Sequence, residues 1–281
     1  MPRGMAVCAA VAIAAPHRSI RRLRRNFVLL HQSVSDSFCQ TRPTHGTAPH
    51  PWRPMIHLSG IERSYNMSGQ SVRALAGVDL DVMRGEFVAI TGSSGSGKST
   101  LLNILGCLDQ PTAGSYQLDG DNVAGLDDEA TSDLRNRRIG FVFQSFHLLP
   151  RLSVLENVML PLRFAHDGKV DAVEVERHAR DLLGRVGLGE RLDHRPNELS
   201  GGQVQRAAVA RALVMNPSLL LADEPTGNLD SKSAADVMGL IDQLHREGQT
   251  VVLVTHDSEI AEHAPRHVRL RDGKVEHDTA N

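Results

Sequence analysis

Gly92-Ser93-Ser94-Gly95-Ser96-Gly97-Lys98-Ser99-Thr100 is the stretch whose reading decides this chain. Its spacing is that of G-x-x-x-x-G-K-[ST], a loop that cradles phosphate. Glu86 to Thr91 before it reads as a buried strand, and Ser99 to Leu105 after it as the start of an apolar helix. That order turns backbone N–H groups and the positive end of a helix dipole toward an anion. The glycines let the backbone wrap closely, because they accept positive φ and carry no Cβ. Lys98 adds a point charge for the outer phosphates, and the Ser99 hydroxyl is placed to ligate Mg²⁺. A Gly/Ser linker is the plain alternative; the strand before and the helix after favour the phosphate loop.

Composition narrows the rest. The chain has 281 residues, of which 41% are hydrophobic, enough for a large core. Aromatics at 4% are too few for a surface that stacks single-stranded nucleic acid. The net charge of −2 hides an asymmetry. Residues 1–54 carry eight Arg against one acid, Asp36, whereas the remainder carries 23 basic and 32 acidic residues. An acidic main domain is a poor polyanion binder, so no nucleic-acid partner is expected. Cys8, Cys39 and Cys107 have neither disulfide nor metal-ligand spacing, which fits a reducing cytoplasm.

Residues 1–54 read as a basic extension. Met5 to Ala15 is uncharged but too short to span a bilayer as a helix, and the Arg18 to Arg25 cluster directly behind it would hinder export. A basic membrane-surface helix over Ile20 to Leu30 is one reading of the stretch. A disordered tail, or a chain whose translation begins at Met55, are the plainer ones. From Ile56 to the end the pattern is that of a folded domain. Ile56 to Arg63, Val72 to Leu75 and Val78 to Val82 read as strands, Asp127 to Arg137 as a helix and Ile139 to Phe143 as a buried strand. Residues from 145 to about 215 carry helical or irregular patterns and no strand, an all-helical insert. Leu219 to Ala222 and Val251 to Val254 are apolar runs flanking a helix over Ser231 to Glu247, and a hairpin through Asp272-Gly273 closes the domain. Apolar strands alternating with helices predict an α/β fold with a mostly parallel sheet covered on both faces. No internal repeat is present.

Two further stretches carry chemistry. The strand ending at Asp223-Glu224 delivers two acids where open α/β sheets bind ligands. Phosphoryl transfer needs one carboxylate near Mg²⁺ and one group to orient or deprotonate water; Asp223 fits the first role and Glu224 the second. Leu199-Ser200-Gly201-Gly202-Gln203 opens a helix with paired glycines, a second anion site by the same helix-start physics.

With that last motif the chain resembles the ATP-binding subunits of ABC transporters, over roughly residues 56 to 277. The resemblance implies a P-loop NTPase fold of the ABC type, with an antiparallel β subdomain and the helical insert. It implies ATP and Mg²⁺ as ligands, with Gly92 to Thr100 holding the phosphates and Ser99, Asp223 and Gln144 serving the metal. It makes Glu224 the catalytic glutamate, supported by His256, Gln144 and Lys98, and gives Tyr65 the place where the family stacks an aromatic on adenine. Ser200, Gly201, Gly202 and Gln203, with Asp230 of Asn228-Leu229-Asp230, would complete the site across a head-to-tail dimer of two copies closed on two ATP. A carboxylate at Gly202 is then expected to break that dimer by facing the γ-phosphate.

A narrower resemblance rests on Leu101 to Asp109, Phe143 to Pro150 and Ala222 to Asp230. These look like the group of macrolide exporters, lipoprotein-release ATPases and the cell-division ATPase FtsE (the MacB/LolD/FtsE group). That group implies an integral membrane permease subunit as partner and a peripheral place on the cytoplasmic face of the inner membrane. A non-transport ABC ATPase with a regulatory, FtsE-like role shares the same motifs. The transported substrate is not written in this chain.

Overall fold

In the computed structural model, residues 54–67, 70–165 and 171–280 are described. The basic stretch as far as Arg53 lies outside them. Ten strands occur among the described residues. They are β1 (Ile56–Met67), β2 (Gln70–Val82), β3 (Phe87–Thr91), β4 (Ala113–Leu118), β5 (Asp121–Asn122), β6 (Ile139–Phe143), β7 (Leu219–Asp223), β8 (Thr250–Val254), β9 (Arg266–Arg271) and β10 (Lys274–Asp278). The helices of most consequence are α1 (Lys98–Leu105), α2 (Asp128–Arg138), α3 (Val154–Val158), α4 (Ala172–Arg185), α5 (Gly201–Leu213), α6 (Ser231–Arg246) and α7 (Ser258–Ala261).

The strands form two sheets, one of six strands in the order β10-β9-β3-β8-β7-β6 and one of four in the order β2-β1-β4-β5. In the larger sheet β9, β3, β8, β7 and β6 run parallel and β10 alone is antiparallel, as the apolar runs predict. The smaller sheet is antiparallel throughout. One sequence expectation needs correcting: Val72–Leu75 and Val78–Val82 belong to a single strand, β2. The pairing with β1 slips beside Gly60 (φ 59) and Gly77 (φ 90), which take up the irregularities as bulges, so the strand bends and continues.

The large sheet divides two cores by the strict alternation of its side chains. Val88 and Ile90 of β3 and Leu219 and Leu221 of β7 join α1 and the antiparallel sheet on one face. Phe87, Ala89, Leu220 and Ala222 join α4, α5 and α6 on the other. α1 commits Leu101, Leu102, Ile104 and Leu105 to its core. Each such burial is worth about 1.5–3 kcal/mol, so the phosphate loop before α1 is anchored firmly.

Among the described residues none between Gln144 and Ser218 is in a strand. α5 ends this region and packs directly on β6, where a Cβ at Gly140 would meet the Ala212 carbonyl at 2.4 Å. The small residues Ala207, Ala208, Ala210 and Ala212 allow α5 to lie this close.

Candidate functional site

The phosphate loop links β3 to α1. Two of its glycines are forced by their surroundings. A Cβ at Gly92 (φ 149) would meet the Leu270 carbonyl at 2.3 Å, and one at Gly97 (φ 104) the Ala74 carbonyl at 2.6 Å. Lys98 folds back over the loop and donates to the carbonyls of Gly92 (2.8 Å) and Ser93 (2.9 Å). Ser96 is buried and its carbonyl accepts from Gly273 N at 3.0 Å, while Ser93, Ser94 and Gly95 stay exposed. Gly97 caps α1 without a side-chain hydrogen bond, and no acid lies in the first turn. The amides of Lys98, Ser99 and Thr100 are therefore available to an anion with no internal competitor.

Asp223 and Glu224 follow from β7. Burial raises the Asp223 carboxyl above the ordinary range, the Glu224 charge raises it further, and Lys98 pulls it back. One hydroxyl from Ser99 and one carboxylate from Asp223 match the oxygen chemistry of Mg²⁺, which takes few protein ligands and keeps water or phosphate oxygens for the rest. Among the described residues no cluster of three His, Cys, Asp or Glu forms a protein-only metal cage.

Glu224 stands in left-handed backbone (φ 46), which costs a non-glycine residue about 1–2 kcal/mol. Hydrogen bonds from both backbone and side chain hold it there. Its own N–H donates to the Val254 carbonyl at 2.9 Å. Its Oε1 accepts from His256 N (2.9 Å) and bonds His256 Nδ1 (2.6 Å), and its Oε2 accepts from Thr255 Oγ1 at 3.1 Å. The carboxylate is mostly enclosed and the imidazole is exposed. The hydrogen bond to Glu224, and then its charge, raise the His256 pKa above 6.5.

Gln144 follows β6 and lies against the turn after Glu224. A Cβ at Gly227 would meet Gln144 Nε2 at 2.6 Å, and Asn228 Nδ2 donates to the Gln144 carbonyl at 3.0 Å. α5 grips this segment at both ends. Gln205 donates to the carbonyls of Phe143 (3.2 Å) and Pro225 (2.6 Å), and Arg211 to those of Phe146 (3.0 Å) and His147 (2.6 Å).

The residues expected to reach a second copy are engaged within this one. Ser200 and Gln203 cap α5 reciprocally, Ser200 N donating to Gln203 Oε1 at 2.9 Å. Asp230 caps α6, accepting from Ser233 N (3.0 Å) and Ser233 Oγ (2.7 Å), and these bonds hold its pKa low. Gly202 touches the same Ser233: a Cβ there would lie 2.7 Å from its Oγ. Tyr65 is joined to Arg63 and Asp109 rather than to another motif residue. Thr255, Gln205, Arg211, Ser233 and Asp109 were missed from sequence. Gln205 alone left a trace, as a polar side chain on the apolar face of α5.

A glycine loop at a helix start, two acids at a parallel strand's end and a second glycine helix start on a strandless insert define an ABC-type ATPase. The chain belongs to the ABC transporter family, whose profile matches residues 75–227. It is 54% identical over 223 residues to a macrolide export ATP-binding/permease protein MacB of Syntrophobacter fumaroxidans, covering 79% of this chain and 31% of that one. It is 50% identical over 221 residues to an uncharacterized ABC transporter ATP-binding protein of Bacillus subtilis, covering 79% of this chain and 95% of that one. The chain thus spans about a third of the MacB relatives it matches. Among solved structures it resembles the ATP-binding cassette MJ0796 in a dimeric post-hydrolysis state bound to ADP and Pi. That likeness has a TM-score of 0.73 and 46% identity, and covers 80% of this chain and 97% of the other.

Proposed function

We propose that this chain is the ATP-hydrolysing subunit of an exporter or lipoprotein-release system, acting on a separate integral membrane subunit from the cytoplasmic face of the inner membrane. Two copies would close head-to-tail on two ATP. The phosphate-loop amides and Lys98 bind and orient the triphosphate. Ser99, Asp223 and Gln144 would hold Mg²⁺, which when bound would supply charge neutralisation on the outer phosphates. Glu224 accepts the proton of the attacking water, and His256 fixes the Glu224 carboxylate and faces the γ-phosphate. Gln144 senses the filled site and passes closure to the insert. Ser200, Gly201 and Gly202 of the second copy supply the missing donors. The dimeric cassettes among the solved relatives support this arrangement.

The observation that carries the reading is a groove of about 400 Å³ beside the second anion site. Phe146 and Leu148 line one wall, and Pro196, Leu199 and Val204 the other. Arg211 clamps the first wall, and Ser200 caps the helix that carries Val204 of the second, so both walls adjoin the elements expected to move on nucleotide closure. Among the described residues no helix is long and apolar enough to cross a membrane, and the MacB relatives are named for permease as well as ATP binding. We infer that a membrane subunit docks a helix in this groove. Residues 55–281 are proposed to suffice for ATP hydrolysis.

The test is affinity purification of the full chain from detergent-solubilised membranes. A co-purifying membrane protein, lost on Leu148→Asp while ATP binding persists, supports the reading. Recovery of ribosomes or DNA instead overturns it in favour of a non-transport ATPase.

A further inference from the structure

Tyr65 is held by two residues that belong to no nucleotide motif. Its hydroxyl donates to Asp109 Oδ2 at 2.8 Å. The other oxygen of Asp109 pairs with the Arg63 guanidinium at 2.7 Å. That guanidinium lies over the Tyr65 ring, 4.7 Å from its centroid, with Nε enclosed by protein. The three side chains close a loop in which one carboxylate fixes both the hydroxyl and the cation, and the cation backs the ring. All three are partly buried. Asp109 lies just past the end of α1, the helix that starts at the phosphate loop. One helix therefore sets the distance between the phosphate amides and the ring.

The surface beside the ring suits a flat ligand. Val72 sits directly opposite Tyr65 in the β1–β2 ladder, so the two share a face of the sheet. Val72 is 49% exposed, one of the large apolar side chains left in solvent among the described residues. A fixed aromatic with an exposed aliphatic neighbour offers stacking area without the entropy loss of ordering a free side chain.

We propose that Asp109 and Arg63 are positioning residues that preset the Tyr65 ring for the purine base, with Val72 extending the stacking surface. This rests on the reading of Tyr65 as the adenine-stacking residue. The experiment compares full-length wild type with Tyr65→Phe, Asp109→Ala, the double variant and Tyr65→Ala. Folding is checked by circular dichroism. KM and kcat for ATP are measured beside the affinity for inorganic tripolyphosphate, which engages the phosphate loop and has no base. Tyr65→Phe and Asp109→Ala should each raise KM for ATP about fivefold, the worth of one hydrogen bond. The kcat at saturating ATP and the tripolyphosphate affinity should hold. The double variant should be no worse than Asp109→Ala, since both changes break one link. If Tyr65→Ala raises KM but neither Tyr65→Phe nor Asp109→Ala does, the presetting is wrong and stacking stands. If Tyr65→Ala leaves KM unchanged, the stacking reading falls first. If tripolyphosphate binding weakens in step with ATP, Asp109 supports α1 and not the base, which also overturns the proposal.

Discussion

His256 reaches Glu224 Oε1 twice, through its backbone N–H at 2.9 Å and through Nδ1 at 2.6 Å. The pair fixes the tautomer and direction of the ring and keeps the carboxylate in place on its left-handed backbone. It also makes the histidine a stronger base than a free imidazole. The hydrogen bond and charge of Glu224 raise the folded pKa above the ordinary 6.5, so the native chain holds the His256 proton more tightly than the unfolded one. Its contribution to stability is complete below about 6.5 and fades as pH rises through the raised folded value. Glu224→Gln removes the charge, and His256 should then titrate closer to the ordinary value. Ring-proton NMR titration of both proteins reads this directly. A native His256 that titrates at or below 6.5 contradicts the coupling.

Gly202 serves its own chain before it serves a partner. With Ser233 Oγ 2.7 Å from where a Cβ would sit, even Gly202→Ala should shift the start of α6 and lower the melting temperature by several degrees, about 1–3 kcal/mol of overpacking. A carboxylate at 202, expected from sequence to break the dimer, would therefore also disturb its own chain and is a poor probe of the interface alone. Gly201 is the cleaner site, exposed, with only Leu229 Cδ2 at 3.4 Å. Gly201→Asp should leave the melting temperature within a degree or two, because an acid suits a helix start. It should still abolish ATP-dependent dimerisation. Calorimetry and light scattering on the two variants separate the effects; equal behaviour of both would contradict this assignment.

Gln205→Leu strands two carbonyls, the part-buried one of Phe143 and the buried one of Pro225. The loss should be about 2–4 kcal/mol and roughly 5–10 °C in melting temperature. Hydrolysis should fall more than ATP affinity, because the segments carrying Gln144 and Glu224 lose their common tie. Calorimetry with single-turnover kinetics checks both, and a variant as stable as wild type would contradict it.

What sequence disclosed, and what it hid, follows from range. The parallel sheet was legible because β3, β7 and β8 are buried on both faces and read as unbroken apolar runs. The phosphate loop was legible because its fixed positions are adjacent in the chain. β2 was read as two pieces because Ala76-Gly77 looks like a break, and only pairing with β1 shows the bulge. Thr255 and Asp109 were invisible as site residues, since nothing local distinguishes a Thr after an apolar strand or an Asp after a helix. The Tyr65–Asp109 bond joins positions 44 residues apart. The glycine pair after Ser200 was visible, but its contact with Ser233 was not.

The two-chain site is the central claim, and Glu224→Gln tests it most directly. A Gln at 224 keeps an acceptor for His256 N and the shape of the turn, keeps Asp223, and removes the group that takes a proton from water. ATP should bind and close the dimer without being hydrolysed. Size-exclusion chromatography with light scattering on full-length Glu224→Gln should give twice the monomer mass with ATP–Mg²⁺ and the monomer mass without it. Monomer at saturating ATP–Mg²⁺, with the membrane subunit present or absent, would contradict the account.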